Sequence, residues 1–408
     1  MTQYEPHHFG VWLSGRTAAS NLFTLGVSEL GGTDVLGNNV TGGGYAMVNV
    51  QPYVTEVTYS NGITLTGLDA EGDGVQVSIR MKATTDLFKT YKFRTGSPVY
   101  LSLENLLPGI SSHNWFVGIA TSYSREMDAE GNFFFTVNAS DLREQALATY
   151  VDELIVGTGT GYVQAYTNMT ALVDASAGKL GQAVGVNLYS TIMPELDIAD
   201  TPIADSVLNI ARATGSWLVS QYHSTATYTS PTAAPVMADF SPSTIDSTVS
   251  PLLTFADNET DGHIAIDNLD AVFDNTARIN DFALSITGDP LTTLTYTDQD
   301  AVDLYGKNSQ TLELDVRDTA DLTQYMNRAK QTTHGAAIQG LSAPAIAVKN
   351  RKLHETWQLF PGCIVKVEVT RENVTIDANF VVTRVEHSIT PDTWETKLGL
   401  WRNDSSSW

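Results

Sequence analysis

The sequence predicts a mainly β protein: two small β-barrel or sandwich domains of similar topology, with an α/β region between them. Three observations carry this. Gly, Thr, Ser, Asn and Asp are abundant across the 408 residues, while helix-forming runs are few. Apolar residues alternate with period two in many short stretches, which puts one face of each stretch on a core. A strand–strand–turn–strand pattern near Gly96 recurs near Gly362. The length suffices for about two to four cores. Residues 1–156 are expected to form an N-terminal β-rich barrel domain, 157–300 a middle α/β region, and 301–408 a C-terminal helix plus β-barrel domain.

The C-terminal end is the most legible part. Pro361-Gly362 turns the chain into a strand carrying Ile364, Val365, Val367 and Val369. Phe380, Val381, Val382 and Val385 mark a second strand, and Thr396, Leu398 and Leu400 alternate in a third. Between these two, His387 to Trp394 contains the turn former Pro391-Asp392. Trp394 has the apolar area to cap the end of the barrel or sheet.

Taken from the start, the chain lacks a basic opening followed by an apolar core, so no signal peptide is expected. No run of about 18 apolar residues is present to span a membrane. Residues 10–15 and 41–50 read as short strands in a Gly-rich stretch. Thr55 to Asp69 predicts a hairpin turning at Asn61-Gly62. Asp73 to Ala83 and Pro98 to Leu101 read as strands, and Trp115 to Ser140 as a hairpin turning at Asp128 to Gly131. A helix is expected from Ser140 to Gly157, with Leu142, Ala146, Thr149, Tyr150 and Leu154 on one face. Residues 157–200 show no clear period. A second helix, Pro202 to Ala213, has Thr201 as its cap, Gly215 as its stop, and Ile203, Val207 and Ile210 as its stripe. Ser216 to Ser230 reads as a strand pair, residues 231–250 as a surface connection, and Phe282 to Ile286 as a strand. A last helix, Thr319 to Lys330, aligns Leu322, Tyr325, Met326 and Ala329.

The net charge of −23 excludes a tightly held nucleic acid, because phosphate contacts need clustered cations. Here the basic residues are scattered, and the densest group, Lys349 to Lys352, is short. Cys363 stands alone, so no internal disulfide forms, and it reads as a small buried apolar residue. There is no G-x-S-x-G, H-E-x-x-H, Walker loop or C-x-x-C, and Gly157 to Tyr162 misses the dinucleotide spacing. Asp69 to Gly74 matches the start of a calcium loop, but its twelfth position is Arg80. Asp257, Glu259 and Asp261 with Gly262 have Asn268 there. Both read as acidic turns. His387 reads as structural, and Trp115, Trp217 and Trp394, each able to stack on a sugar, read as core. No catalytic, cofactor-binding or metal-binding residue is assigned, and the chain is not read as an enzyme.

Two segments carry a resemblance. Pro361 to Val369, followed by Phe380 to Leu400, resembles the C-terminal end of the minor tail or tail-hub proteins of long-tailed, non-contractile phages. Asp303 to Lys330, with its Tyr-Gly, short strand and helix opened by Asp or Thr, resembles the segment those proteins carry before that end. The resemblance implies a structural virion protein of the tail tip, assembled in the host cytoplasm and serving host attachment. It would be a homotrimeric hub ring joining the tail tube to the receptor-binding end. Its neighbours would be the distal tail protein at the tube end, the tape-measure protein and further minor tail proteins. Genome DNA would pass through, and a negative channel wall would repel it. The alternative is a tail-associated carbohydrate-binding or carbohydrate-cleaving β protein. The missing catalytic signature and the ordered resemblance favour the hub.

The internal pattern adds an independent expectation. Gly96 to Leu101 matches Gly362 to Val367, Trp115 to Ile119 is set against Asn379 to Thr383, and Phe133 to Val137 against Glu395 to Leu400. Two copies of one unit per chain would give a trimer six similar units, suited to docking on a six-fold tube.

Overall fold

The period-two stretches are realised as one large mixed sheet with an α/β unit beside it. The computed structural model describes residues 9–17, 45–66, 69–83, 91–107, 110–157, 159, 161–177, 179–181, 186–219, 236–238, 250–257, 263–270, 279–333, 345–348, 353–371 and 374–401. The N-terminal portion holds β1 (Phe9–Thr17), β2 (Tyr45–Asn49), β3 (Val54–Thr66), β4 (Asp69–Lys82), β5 (Tyr91–Lys92), β6 (Pro98–Leu107), β7 (Ile110–Met127) and β8 (Phe133–Ser140). Next come α1 (Arg143–Leu147), β9 (Tyr150–Ile155), β10 (Tyr162–Gln164), α2 (Ala165–Ala175), α3 (Val186–Ser190), β11 (Ile192–Pro194), β12 (Asp197–Pro202), α4 (Ala204–Thr214), β13 (Trp217–Val219) and β14 (Val236–Ala238). The chain continues through β15 (Leu253–Ala256), β16 (Ile264–Asp270), β17 (Asp281–Ile286), β18 (Asp289–Thr297), α5 (Gln299–Tyr305), β19 (Ser309–Leu314) and α6 (Thr319–Thr333). It closes with β20 (Ala345–Val348), β21 (Ile364–Arg371), β22 (Val374–Ile389) and β23 (Trp394–Trp401).

The 14-stranded sheet runs β2-β1-β6-β7-β8-β4-β3-β22-β21-β15-β16-β20-β23, with β5 beside β1, and β23 also pairs with β22. The two expected halves are therefore joined in one sheet, in which β22, β21, β15, β16, β20 and β23 pair in a closed circuit. They merge because β3 pairs antiparallel with β22, Val57 opposite Ile389 and Gly62 opposite Arg384. One core serves both halves: Val57, Ile79, Phe116, Val137, Phe255, Val365, Phe380 and Leu398 belong to a single apolar cluster. A second core fills the α/β unit, where α4 and α6 lie against the β18-β17-β19 sheet and α2 packs on α4, through Leu172, Ile210, Leu284, Leu314 and Leu322. The first core draws on β15 and β16 from before residue 300, and the second on β19 and α6 from beyond it.

Three local expectations are corrected. Asn61-Gly62 is not a turn but lies inside β3, with β4 on one edge and β22 on the other. Asn61 is buried there, and the register shift between Gly62 and Ile63 leaves Asp73 of β4 as the extra residue, next to the left-handed Gly74. The helix after Ser140 is only α1, because Tyr150–Ile155 pairs instead with β12. Its first turn is held by Asp141, whose Oδ1 accepts from Arg143 N–H at 3.0 Å, rather than by Ser140. Thr201 does not cap α4: with Pro202 it extends β12 opposite β9, and α4 starts after Ile203. Gly215 does end α4, in the left-handed conformation at φ 65°. Of the expected strand pair at Ser216 to Ser230, β13 is present, and residues 220–230 lie outside the described residues.

Candidate assembly site

The two halves of the sheet share a set of matching backbone hydrogen bonds. Gly96 N–H donates to Ala120 O at 2.7 Å, and Ala120 N–H to Ser97 O at 2.9 Å. Gly362 N–H donates to Val382 O at 2.7 Å, and Val382 N–H to Cys363 O at 2.9 Å. Both glycines are left-handed, at φ 79° and 99°. Ile119 is paired on both edges, with Pro98 and Ser140, as Val381 is with Ile364 and Trp401. Two residues later each middle strand bulges toward its third strand, at Thr121 and at Thr383. The correspondence extends to a second antiparallel strand pair. β3 carries an extra residue, Thr55, against β4, and β16 carries Asp267 against β20. Thus β3, β4, β6, β7 and β8 answer to β16, β20, β21, β22 and β23. The strands beside β6 and β21 differ: β1 is antiparallel, β15 parallel.

The sequence comparison paired Phe116 with Phe380. The hydrogen bonds shift this by two residues, so Gly118 answers to Phe380 and Phe116 to Ala378. A carbon added at Gly118 would lie 2.3 Å from Phe116 Cζ, so the Phe116 ring occupies the space beside Gly118. The aromatic bulk reaches this part of the core from a position two residues away. At Gly96 no heavy atom lies within 4 Å of an added carbon. Gly96→Ala should therefore cost only the left-handed penalty, about 1–2 kcal/mol in urea unfolding. An unchanged midpoint would refute it.

Where the halves join, aromatic side chains converge. Tyr59 on β3 faces His387 on β22 and stacks on Trp115 at 4.5 Å. Trp394 lies 5.6 Å from both Trp115 and His387. Trp394 Nε1–H donates to His387 Nδ1 at 3.1 Å, and Thr396 Oγ1 lies 2.9 Å from the same nitrogen. An indole only donates, so Nδ1 is an acceptor and the neutral ring carries its proton on Nε2. That Nε2 is buried with no hydrogen-bond partner among the described residues. Burial pushes the His387 pKa down to about 3. The unfolded chain thus takes up the proton first. The stability from a neutral His387 is whole above pH 6.5 and is lost as pH falls toward about 3. The loss is on the order of 4 kcal/mol over that window. His387→Gln should flatten the change in urea midpoint between neutral and acid pH, and equal slopes in both proteins would contradict this.

The opposite face of the same strands is polar. One row across it reads Glu395, Ser388, Thr58, Ser78, Asn138, Ser122. The next reads Lys397, Glu386, Ser60, Gln76, Ser140. A groove of about 300 Å³ lies over Thr58, Ser60, Gln76, Ser78 and Glu386. Charges on this face occur in both signs, as in the Arg80–Glu126 and Arg384–Glu386 pairs. About half of the acid surplus lies in the α/β unit: residues 141–219 and 279–333 hold 18 Asp and Glu against 7 Lys and Arg.

The residues considered for chemistry are placed as follows. Trp115, Trp217 and Trp394 are buried. Cys363 is buried and its thiol is pushed up to about 12 by desolvation. Asp69 to Gly74 is not a turn but part of β4, paired with β3. Asp257 accepts from Thr370 N–H at 2.6 Å, while 258–262 and 349–352 lie outside the described residues. Among the described residues no three His, Cys, Asp or Glu converge on a metal position, and no helix is long and apolar enough to cross a membrane.

No protein-family model matches the chain, and no curated protein does. Solved structures do match. A tail protein from Neisseria meningitidis MC58 is similar over 97% of both chains, at 14% identity and TM-score 0.58. The 43 kDa tail protein of prophage MuSo2 from Shewanella oneidensis is similar over 88% of this chain and 96% of its own, at 11% identity and TM-score 0.55. The chain therefore has the fold of these phage tail proteins.

Proposed function

We propose that the chain is a structural subunit of a phage-type tail tip: a homotrimeric hub ring that joins the tail tube to the receptor-binding end and lets the genome pass. The repeated hydrogen-bond pattern at Gly96 and Gly362 carries this reading. It gives each chain two similar units, and three chains six, so a three-fold ring can meet a six-fold tube through nearly repeated contacts. The fold shared with the prophage tail proteins supports the same reading.

The polar face fits a channel wall. Its hydroxyls and amides offer weak contacts, and its cations sit beside carboxylates, so DNA phosphates meet no cation cluster. A channel walled by this face is close to neutral, and the acid surplus of the α/β unit lies beside it rather than on it. The neighbours are the distal tail protein, the tape-measure protein and further minor tail proteins. The site is the virion tail tip, reached by assembly in the host cytoplasm. The role needs no catalysis, and His387→Ala should lower folding yield without abolishing any polysaccharide cleavage. Electron micrographs of assembled tails carrying a labelled chain test the proposal. Label at one tail end is expected, and label along the whole tube, or none, would overturn it.

A further inference from the structure

The α/β unit presents one ribbon face that the chain leaves exposed. β9 and β12 pair antiparallel, Ile155 opposite Asp197 and Tyr150 opposite Pro202. Val151, Leu154 and Ile198 turn inward and pack against the second core. Tyr150 and Ile155 are 59% and 66% exposed. The burial alternation changes phase at Asp152 and Glu153, both exposed, so Tyr150 and Ile155 both point away from the core. The pairs Glu153–Ala199 and Val151–Thr201 set Asp152 opposite Asp200, whose backbone is left-handed at φ 51°. The Tyr150 hydroxyl donates to the backbone oxygen of Asp200, so the exposed ring is also held in place.

The face carries charge of one sign. Asp152, Glu153, Asp197 and Asp200 are exposed, and none has an ion-pair partner among the described residues. Between Arg143 and Arg212 the sequence holds one Lys or Arg, Lys179, whose ammonium donates to Thr149 Oγ1 at 3.3 Å. Like charges directly opposite across a strand pair are destabilising. Apolar side chains set among carboxylates are the complement of a surface with apolar side chains among cations. We propose that this ribbon is the docking face for a different, cationic protein. The partner sets Lys or Arg against the four carboxylates and apolar side chains on Tyr150 and Ile155, and so relieves the repulsion that the free ribbon carries. A second copy does not fit, because the chain carries −23 and the cations of its polar face sit beside carboxylates. Nucleic acids and anionic lipid surfaces are repelled. A metal ion would leave Tyr150 and Ile155 bare, and among the described residues no three carboxylates converge on a metal position. The inference does not depend on the ring reading.

The test uses the full-length chain and a labelled amphipathic Lys/Leu peptide, read by fluorescence anisotropy, with a Lys/Ser peptide of equal charge beside it. The Lys/Leu peptide should bind the more tightly of the two, and added salt should weaken it. Asp152→Asn, Glu153→Gln, Asp197→Asn and Asp200→Asn together should weaken it by about tenfold or more. Asparagine suits the left-handed backbone at position 200. Neutralising Asp300, Asp303, Glu313 and Asp392 instead removes the same charge and should leave binding unchanged. Ile155→Ser should bring the Lys/Leu peptide down to the level of the Lys/Ser peptide. Equal weakening by both sets of four would mean attraction to overall charge alone, and would overturn the proposal. Equal binding of the two peptides to the native chain would overturn it too. The ribbon variant should also raise the urea midpoint of the free chain, because like charges are removed. A lowered midpoint would show that the chain itself pairs these carboxylates, and a multimer of the native chain that the ribbon variant dissolves would assign the face to a second copy. Either result would sink the docking face and leave the hub reading standing.

Discussion

Trp394→Ala should destabilise the isolated chain by about 3–5 kcal/mol, the range for removing a buried large aromatic. Trp394 is 3% exposed and stands where strands of both halves meet, against Trp115 and His387. Its loss leaves a cavity and also removes the indole donor to His387 Nδ1. The repeat supplies an internal control. Phe133 holds the equivalent place in the first half and is 58% exposed, so Phe133→Ala should cost only about 0.5 kcal/mol in monomer. Urea unfolding of both variants measures the contrast. Equal costs would mean that the aromatic joint is not what fastens the two halves.

Gly118→Ala should be nearly as damaging, at about 3 kcal/mol, toward the upper end for overpacking a filled core. The added carbon would lie 2.2 Å from the backbone oxygen of Ser140 and 2.3 Å from Phe116 Cζ. The phenyl ring can rotate, but the oxygen can yield only if β7 and β8 part. They carry the first copy of the repeat, so the variant should also lose assembly. A variant with an unchanged melting temperature would show that the β7–β8 contact is looser than described.

The sequence displayed the features that rest on one strong period. The three strands after Pro361 and the four apolar residues of α6 emerge as read, because each buries one face on one core. Asn61-Gly62 misled because pairing on both edges outweighs the local turn preference. α2 was hidden for a different reason. Its buried face includes Asn168, whose side chain donates to Pro194 O at 2.8 Å, and Gln164 gives it no side-chain cap. The repeat was visible at Gly96 and Gly362, where left-handed backbone demands glycine. It was invisible in β3–β4 and β16–β20, whose matching bulges carry Thr55 and Asp267. There the backbone repeats and the side chains do not. The joint at His387 could not be read at all, since Tyr59 and Trp115 reach it from strands far earlier in the chain.

Single-particle images of the purified full-length chain, with its mass in solution, test the central claim most directly. The account predicts three copies of the 44.2 kDa chain in a closed ring, with six similar lobes around a channel. A stable monomer, or a ring whose symmetry is not three-fold, would contradict it.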